Sequence, residues 1–140
     1  MTKAMKRNMV LGGTVIAGAG LALIIMGLVW PDAMAWLYRL AGPGTTTEFG
    51  PAAMLGVAIY GGVMVGWGST LVLLGKGRPT EMAVGIGVLA WWVTDSAASI
   101  ASGYPLNVVG NLGFLAVFMP LLIALWGRRA GAAVAGGSES

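Results

Sequence analysis

The chain has 140 residues, of which 57% are hydrophobic and only 9% charged. A soluble domain carries about 25% charged residues, so this composition points away from one. The net charge of +3 comes from basic residues flanking apolar blocks rather than from a basic face, which speaks against a nucleic-acid partner.

The sequence has no Cys and no His. Disulfides, thiolate nucleophiles and Fe–S ligand sets are thereby excluded. Haem lacks its usual axial ligand, and a zinc site would have only scattered carboxylates to draw on. No cofactor and no metal are expected.

Lys3, Lys6 and Arg7 open the chain, and an apolar block follows from about 9 to 30. It exceeds the 7–15 residue core of a signal peptide, and no A-x-A-like cleavage site follows cleanly, so a retained transmembrane helix is predicted. Pro31-Asp32 ends it. In the connection at 32–48, Met34, Leu37 and Leu40 share helical spacing, with Trp36 and Tyr38 beside them. Asp32 at its start and Arg39 near its end suit the helix dipole, so a short interfacial helix is expected. Gly42-Pro43-Gly44 should end it, and Thr45 with Glu48 has capping-box spacing.

A second span is predicted over about 49–75, with Pro51 tolerated in its first turn. Lys76-Gly77-Arg78-Pro79 makes a tight basic connection, and Thr80 is the expected N-cap of a third span over about 82–103. Tyr104-Pro105 turns the chain into a fourth span over about 106–127, which Pro120 should kink. The tail at 130–140, nearly all Ala, Gly and Ser, reads as disordered. Lys and Arg divide seven to one between alternate flanks. Both termini should therefore face the cytoplasm. The fold class is all-α: a four-transmembrane-helix bundle in one domain over 1–129.

Helices in lipid associate through small residues that permit close approach. Ala58, Gly62, Gly66 and Thr70 form such a stripe on the second span, and Gly13 with Ala17 a shorter one on the first. Either stripe could pack the bundle internally or dock another subunit.

Asp95 is the only acidic or basic residue inside the four apolar blocks. Placing a carboxylate at bilayer depth costs about 2.5–3.5 kcal/mol on insertion scales. Ser99 and Ser102 share its helix face, and Asn107 and Asn111 lie on the next helix. Counting outward from the turn, Asp95 and Asn111 differ in depth by about 4.5 Å, within side-chain reach. Tyr60 is a second candidate partner at that level. Two readings stay open: a polar clasp that fixes helix register, and a proton or ligand-binding acid.

Trp67, Trp91 and Trp92 lie well inside their spans, although tryptophan prefers the interface. They either pack tightly with each indole N–H bonded internally, or wall a cavity for a cation or a flat ligand. Catalytic constellations are missing: no Ser has a His to activate it, and no carboxylate pair exists within the spans. The chain is not expected to be an enzyme.

Gly61-Gly62-Val63-Met64-Val65-Gly66-Trp67-Gly68, then Trp92-x-x-Asp95-Ser96-x-x-Ser99, then Asn107 to Asn111 and Phe114 form a pattern over roughly 55–122. It resembles small, uncharacterised bacterial four-helix inner-membrane proteins. The resemblance implies a multi-pass bacterial inner-membrane protein and brings no activity with it. Small multidrug transporters also have four short spans, but they carry a key acid in the first span, and here that span has none.

The leading expectation is a non-enzymatic accessory or scaffold subunit whose partners are the lipid bilayer and other membrane subunits or further copies of itself. A small oligomeric proton- or cation-coupled transporter using Asp95 is the alternative, and a lipid- or quinone-binding module is a third reading.

Overall fold

A computed structural model describes residues 1–41 and 49–136; the side chains of 41, 121 and 124–136 lie outside that description. Five helices follow in chain order: α1 (Lys3–Val29), α2 (Pro31–Ala41), α3 (Pro51–Gly75), α4 (Thr80–Ala101) and α5 (Leu106–Gly136). No strand occurs among the described residues. α1, α3 and α4 are each long and apolar enough to cross a membrane, and the apolar stretch described in α5 covers Leu106–Pro120.

The helix ends follow local chemistry, with several departures from expectation. α1 starts at Lys3, six residues before the apolar block, because Thr2 caps it by accepting from the Met5 N–H at 3.2 Å. Lys3, Lys6 and Arg7 thus ride on the helix. α3 begins with Pro51 behind Gly50, which makes no side-chain cap bond. The capping box expected from Thr45 and Glu48, and the Gly42-Pro43-Gly44 stop, lie outside the described residues. Thr80 is the first helical residue of α4, and Pro79 occupies the cap position expected for Thr80. α5 runs to Gly136, past the expected end near 127, so residues 130–136 are helical where the composition suggests a disordered tail. Ala130, Ala132, Ala133 and Ala135 supply the reason, since Ala is the strongest helix former. Residues 137–140 of that tail lie outside the description.

Both hairpin turns depend on one left-handed glycine. Gly77 (φ 75°) ends α3 and Gly103 (φ 86°) ends α4. In each, the following N–H reaches back across the turn: Arg78 to the Leu73 carbonyl at 3.0 Å, and Tyr104 to the Ser99 carbonyl at 2.9 Å. This is the Schellman arrangement, and it satisfies carbonyls that a helix end leaves bare. Tyr104-Pro105 only continues a turn that Gly103 makes.

The helices form a row. α1 packs on α3, α3 on α4, and α4 on α5; α2 folds back on α1. α3 therefore lies between two partners, and the two contacts use different glycine faces. Toward α1 the spacing is seven residues: Gly13 sits against the Gly68 carbonyl, and Gly20 against the Gly61 carbonyl. A Cβ at Gly13 or Gly20 would lie 2.6 Å from those oxygens. Gly27 meets Met54, and Gly75 meets the Lys6 carbonyl, which extends the same antiparallel register. A seven-residue repeat keeps one seam facing a partner when two helices cross with left-handed twist. Toward α4 the spacing is four: Gly62 faces Asp95, and Gly66 faces Trp91 and the Gly87 carbonyl. The Ala58–Thr70 stripe predicted from the sequence is this second face. Gly13 and Ala17 also pack as expected, against Gly68.

Ala58 is fully buried where α1, α3 and α4 meet, clustered with Ile24 and Ala98. At one end of the row, Met34 of α2 packs with Met54 and Val57 of α3. This contact pins α2, while Trp36, Leu37, Tyr38 and Leu40 stay exposed. Of the face predicted as Met34, Leu37 and Leu40, only Met34 is buried.

Candidate functional site

Asp95 lies on α4 with its Cβ directly against Gly62 of α3, and it is 1% exposed. Gly62 has no side chain to fill that space, so the acid fits between the two helices. One carboxylate oxygen, Oδ1, accepts from the Ser99 hydroxyl at 3.1 Å and from the Asn107 amide at 3.3 Å. Asn107 Nδ2 also donates to Ser99 Oγ at 2.9 Å. The three side chains thus close a ring that ties α5 to α4. Ser99 is fully buried, and Ser102 donates to the Ser99 carbonyl at 3.1 Å. Asp95, Ser99, Ser102 and Asn107 are therefore one connected cluster, as their spacing implies.

Asn111 and Tyr60 depart from expectation. Asn111 is buried, but its amide reaches Ser96 Oγ, at 3.4 Å, and not Asp95. Depth counting places Asn111 at about the right level; it cannot supply the angle. Successive residues on a helix turn by about 100°, so Asp95 faces the α3 groove while Ser96 faces α5. Asn107, one turn nearer the hairpin, reaches the carboxylate instead. Ser96 is thus a member of the cluster that sequence reading misses, although its place beside Asp95 is visible there. Tyr60 is 62% exposed. It stands two residues before Gly62, about 200° round the helix, and lines a hollow of about 230 Å³ with Leu23, Leu37 and Tyr38.

The tryptophans divide. Trp67 and Trp91 line an apolar groove of about 320 Å³ between α3 and α4, with Val63, Val84, Val88 and Phe118. Trp92 is not part of that lining. Trp91 also meets Phe114 of α5 edge to face, with centroids 6.4 Å apart. The buried Nε1 atoms of Trp91 and Trp92 have no acceptor among the described residues, contrary to the expectation of internal bonding. An apolar membrane interior offers few acceptors, because helix carbonyls are already engaged.

No family model, curated protein or solved structure matches this chain. What its site can do rests on geometry and chemistry.

Among the described residues, no group of three or more acidic, His or Cys side chains could hold a metal ion. The donors around Asp95 are neutral: one hydroxyl and one amide. Ser99 bonds Asp95 within α4, and Asn107 bonds both from α5, so Asn107 carries the link between the two helices. Hydrogen bonds between membrane helices contribute about 0.6–2 kcal/mol each. Asn107→Leu should lower stability by about 1–2 kcal/mol, and Asn111→Leu by less, since its bond is longer. Unfolding midpoints in a mixed-detergent titration give both values; equal losses would remove Asn107 from its central place.

Proposed function

We propose that this chain is a four-span membrane protein of the bacterial inner membrane, with both termini cytoplasmic, acting as a non-enzymatic accessory or scaffold subunit. α5 is the fourth span in this reading, and α2 lies at the interface with its exposed aromatics at headgroup level. One observation carries it: the long helices stand in a row and not in a ring. A row encloses no internal space and leaves two flanks open to lateral neighbours. The outer flank of α5 presents Val109 and Val117, both well exposed. Asp95 then serves as the clasp that holds α5 to α4 at one end of the row.

The test is a mild-detergent pull-down of tagged protein at native expression, followed by mass spectrometry. Other membrane proteins should accompany it in fixed stoichiometry. A monodisperse chain with no companion would end the subunit reading.

A second reading is an oligomeric proton- or cation-coupled transporter. A buried acid with only neutral partners favours it. A row of four helices needs a second copy to enclose a path. Asp95→Asn in proteoliposomes should then abolish flux and leave folding intact; unchanged flux would refute it.

A further inference from the structure

We infer that the α3–α4 groove binds one anionic phospholipid, with an acyl chain between Trp67 and Phe118 and the headgroup at the Lys76–Arg78 turn. This goes beyond the subunit reading and depends only on the helices spanning a bilayer.

The groove is chemically suited to a hydrocarbon chain. Its lining is Val63, Trp67, Val84, Val88, Trp91 and Phe118, with Gly66, Gly87 and Thr70 as floor. Thr70 is the one polar residue there, and its hydroxyl is committed to the Gly66 carbonyl at 3.0 Å. The Trp91 Nε1 is buried and offers no accessible donor. The Trp67 indole N–H is the one further donor on the lining, so a polar ligand would find little to bond, whereas an acyl chain requires no partner. Trp67, 67% exposed, stands as an outer wall. Gly66 and Gly87 let α3 and α4 approach at the floor, while Trp67 and Trp91 hold the rims apart.

The charge lies at one end. The turn that joins α3 to α4 lies beyond the Thr70 and Val84 end of the groove, and it carries Lys76 and Arg78, both exposed. The α1–α3 register adds a third cation: Lys6 Nζ lies 3.8 Å from where a Cβ on Gly77 would stand. Glu81 is the only acid in either segment, 1–8 or 76–81. Thr70 and Val84 each lie six residues from the nearer basic residue of the turn, about 9 Å of helix rise. The headgroup region is about 5–7 Å deep on each side of a bilayer. A phosphate held at the turn therefore places its acyl chain at the mouth of the groove. Basic clusters beside a span are where anionic lipids are recognised.

The experiment is native mass spectrometry of the detergent-purified full chain with added phosphatidylglycerol or phosphatidylcholine. One phosphatidylglycerol per chain should be retained, at least tenfold more tightly than phosphatidylcholine. Lys76→Gln with Arg78→Gln should remove that preference, at about fivefold for each charge. Val88→Phe should fill the groove and release both lipids; Val84→Phe, one turn away on the same wall, replaces it if Val88→Phe does not fold. Equal retention of the two lipids, or retention unaffected by the filling variants, would overturn the assignment. So would a dimer that Val88→Phe dissociates, because a second copy would then occupy the groove. Partner capture is measured separately, so failure here leaves the subunit reading standing.

Discussion

Gly68→Ile should produce a large loss of stability in the helix row. A Cβ at Gly68 would lie 2.5 Å from the Ala17 nitrogen, 2.5 Å from the Gly13 carbonyl oxygen and 2.7 Å from the Ala17 Cβ. Two of those atoms belong to the α1 backbone, so no side chain can rotate away. Relief requires that α1 and α3 separate, which disrupts the longest seam in the fold. Overpacking costs about 1–3 kcal/mol in ordinary cores. Here the obstacle is backbone, and the loss should reach or exceed the upper end of that range. Gly18→Ala is the control, because nothing lies within 4 Å of its added Cβ. That change should be neutral or stabilising by up to ~1 kcal/mol, through helix propensity alone. The midpoint of a reversible detergent unfolding curve reads both. A Gly68→Ile protein as stable as the Gly18→Ala control would mean that α1 and α3 do not meet along this seam.

Asp95→Leu and Asp95→Asn should separate sharply, although neither side chain differs much from Asp in size. Asn keeps an oxygen where Oδ1 accepts from Ser99 and Asn107. Its cost should stay under about 1 kcal/mol. Leu removes the acceptor and leaves a buried hydroxyl and an amide hydrogen facing hydrocarbon. Unmade bonds of this kind cost about 1–3 kcal/mol, so Leu should lose about 2 kcal/mol and loosen α5 from α4. Hydrogen exchange at the α5 amides would register that loosening directly. If Asn proved as harmful as Leu, the acceptor pattern would not be what holds the helices. Charge or protonation would then be the property that matters at Asp95, and the flux assay would become the deciding experiment.

The polar cluster is partly legible in the order of residues. Asp95, Ser99 and Ser102 share a face by simple spacing, and a short turn brings Asn107 and Asn111 alongside. Spacing gives depth along a helix well, since rise per residue is nearly constant. It gives direction poorly, because direction depends on which neighbour a helix turns toward. That is why Asn111 meets Ser96 and why Tyr60 points away. The α1–α3 seam is legible too, but only at a different period. Gly13, Gly20 and Gly27 recur every seven residues, as do Gly61, Gly68 and Gly75. A search for spacing of four finds the α4 face whole and, of this seam, only Gly13 and Ala17.

The sequence alone determined the helical class, the apolar lengths of the first three long helices and the lone acid within them. These follow from composition and run length, which need no knowledge of neighbours. Tertiary structure decided the row arrangement, the two glycine faces of α3, the partner of Asp95 and the groove beside Trp67. Each depends on how one helix is rotated against another. Lipid removes the apolar driving force that would set such rotations in water. They are left to the placement of glycines and a few hydrogen bonds, whose joint effect appears only once the helices are assembled.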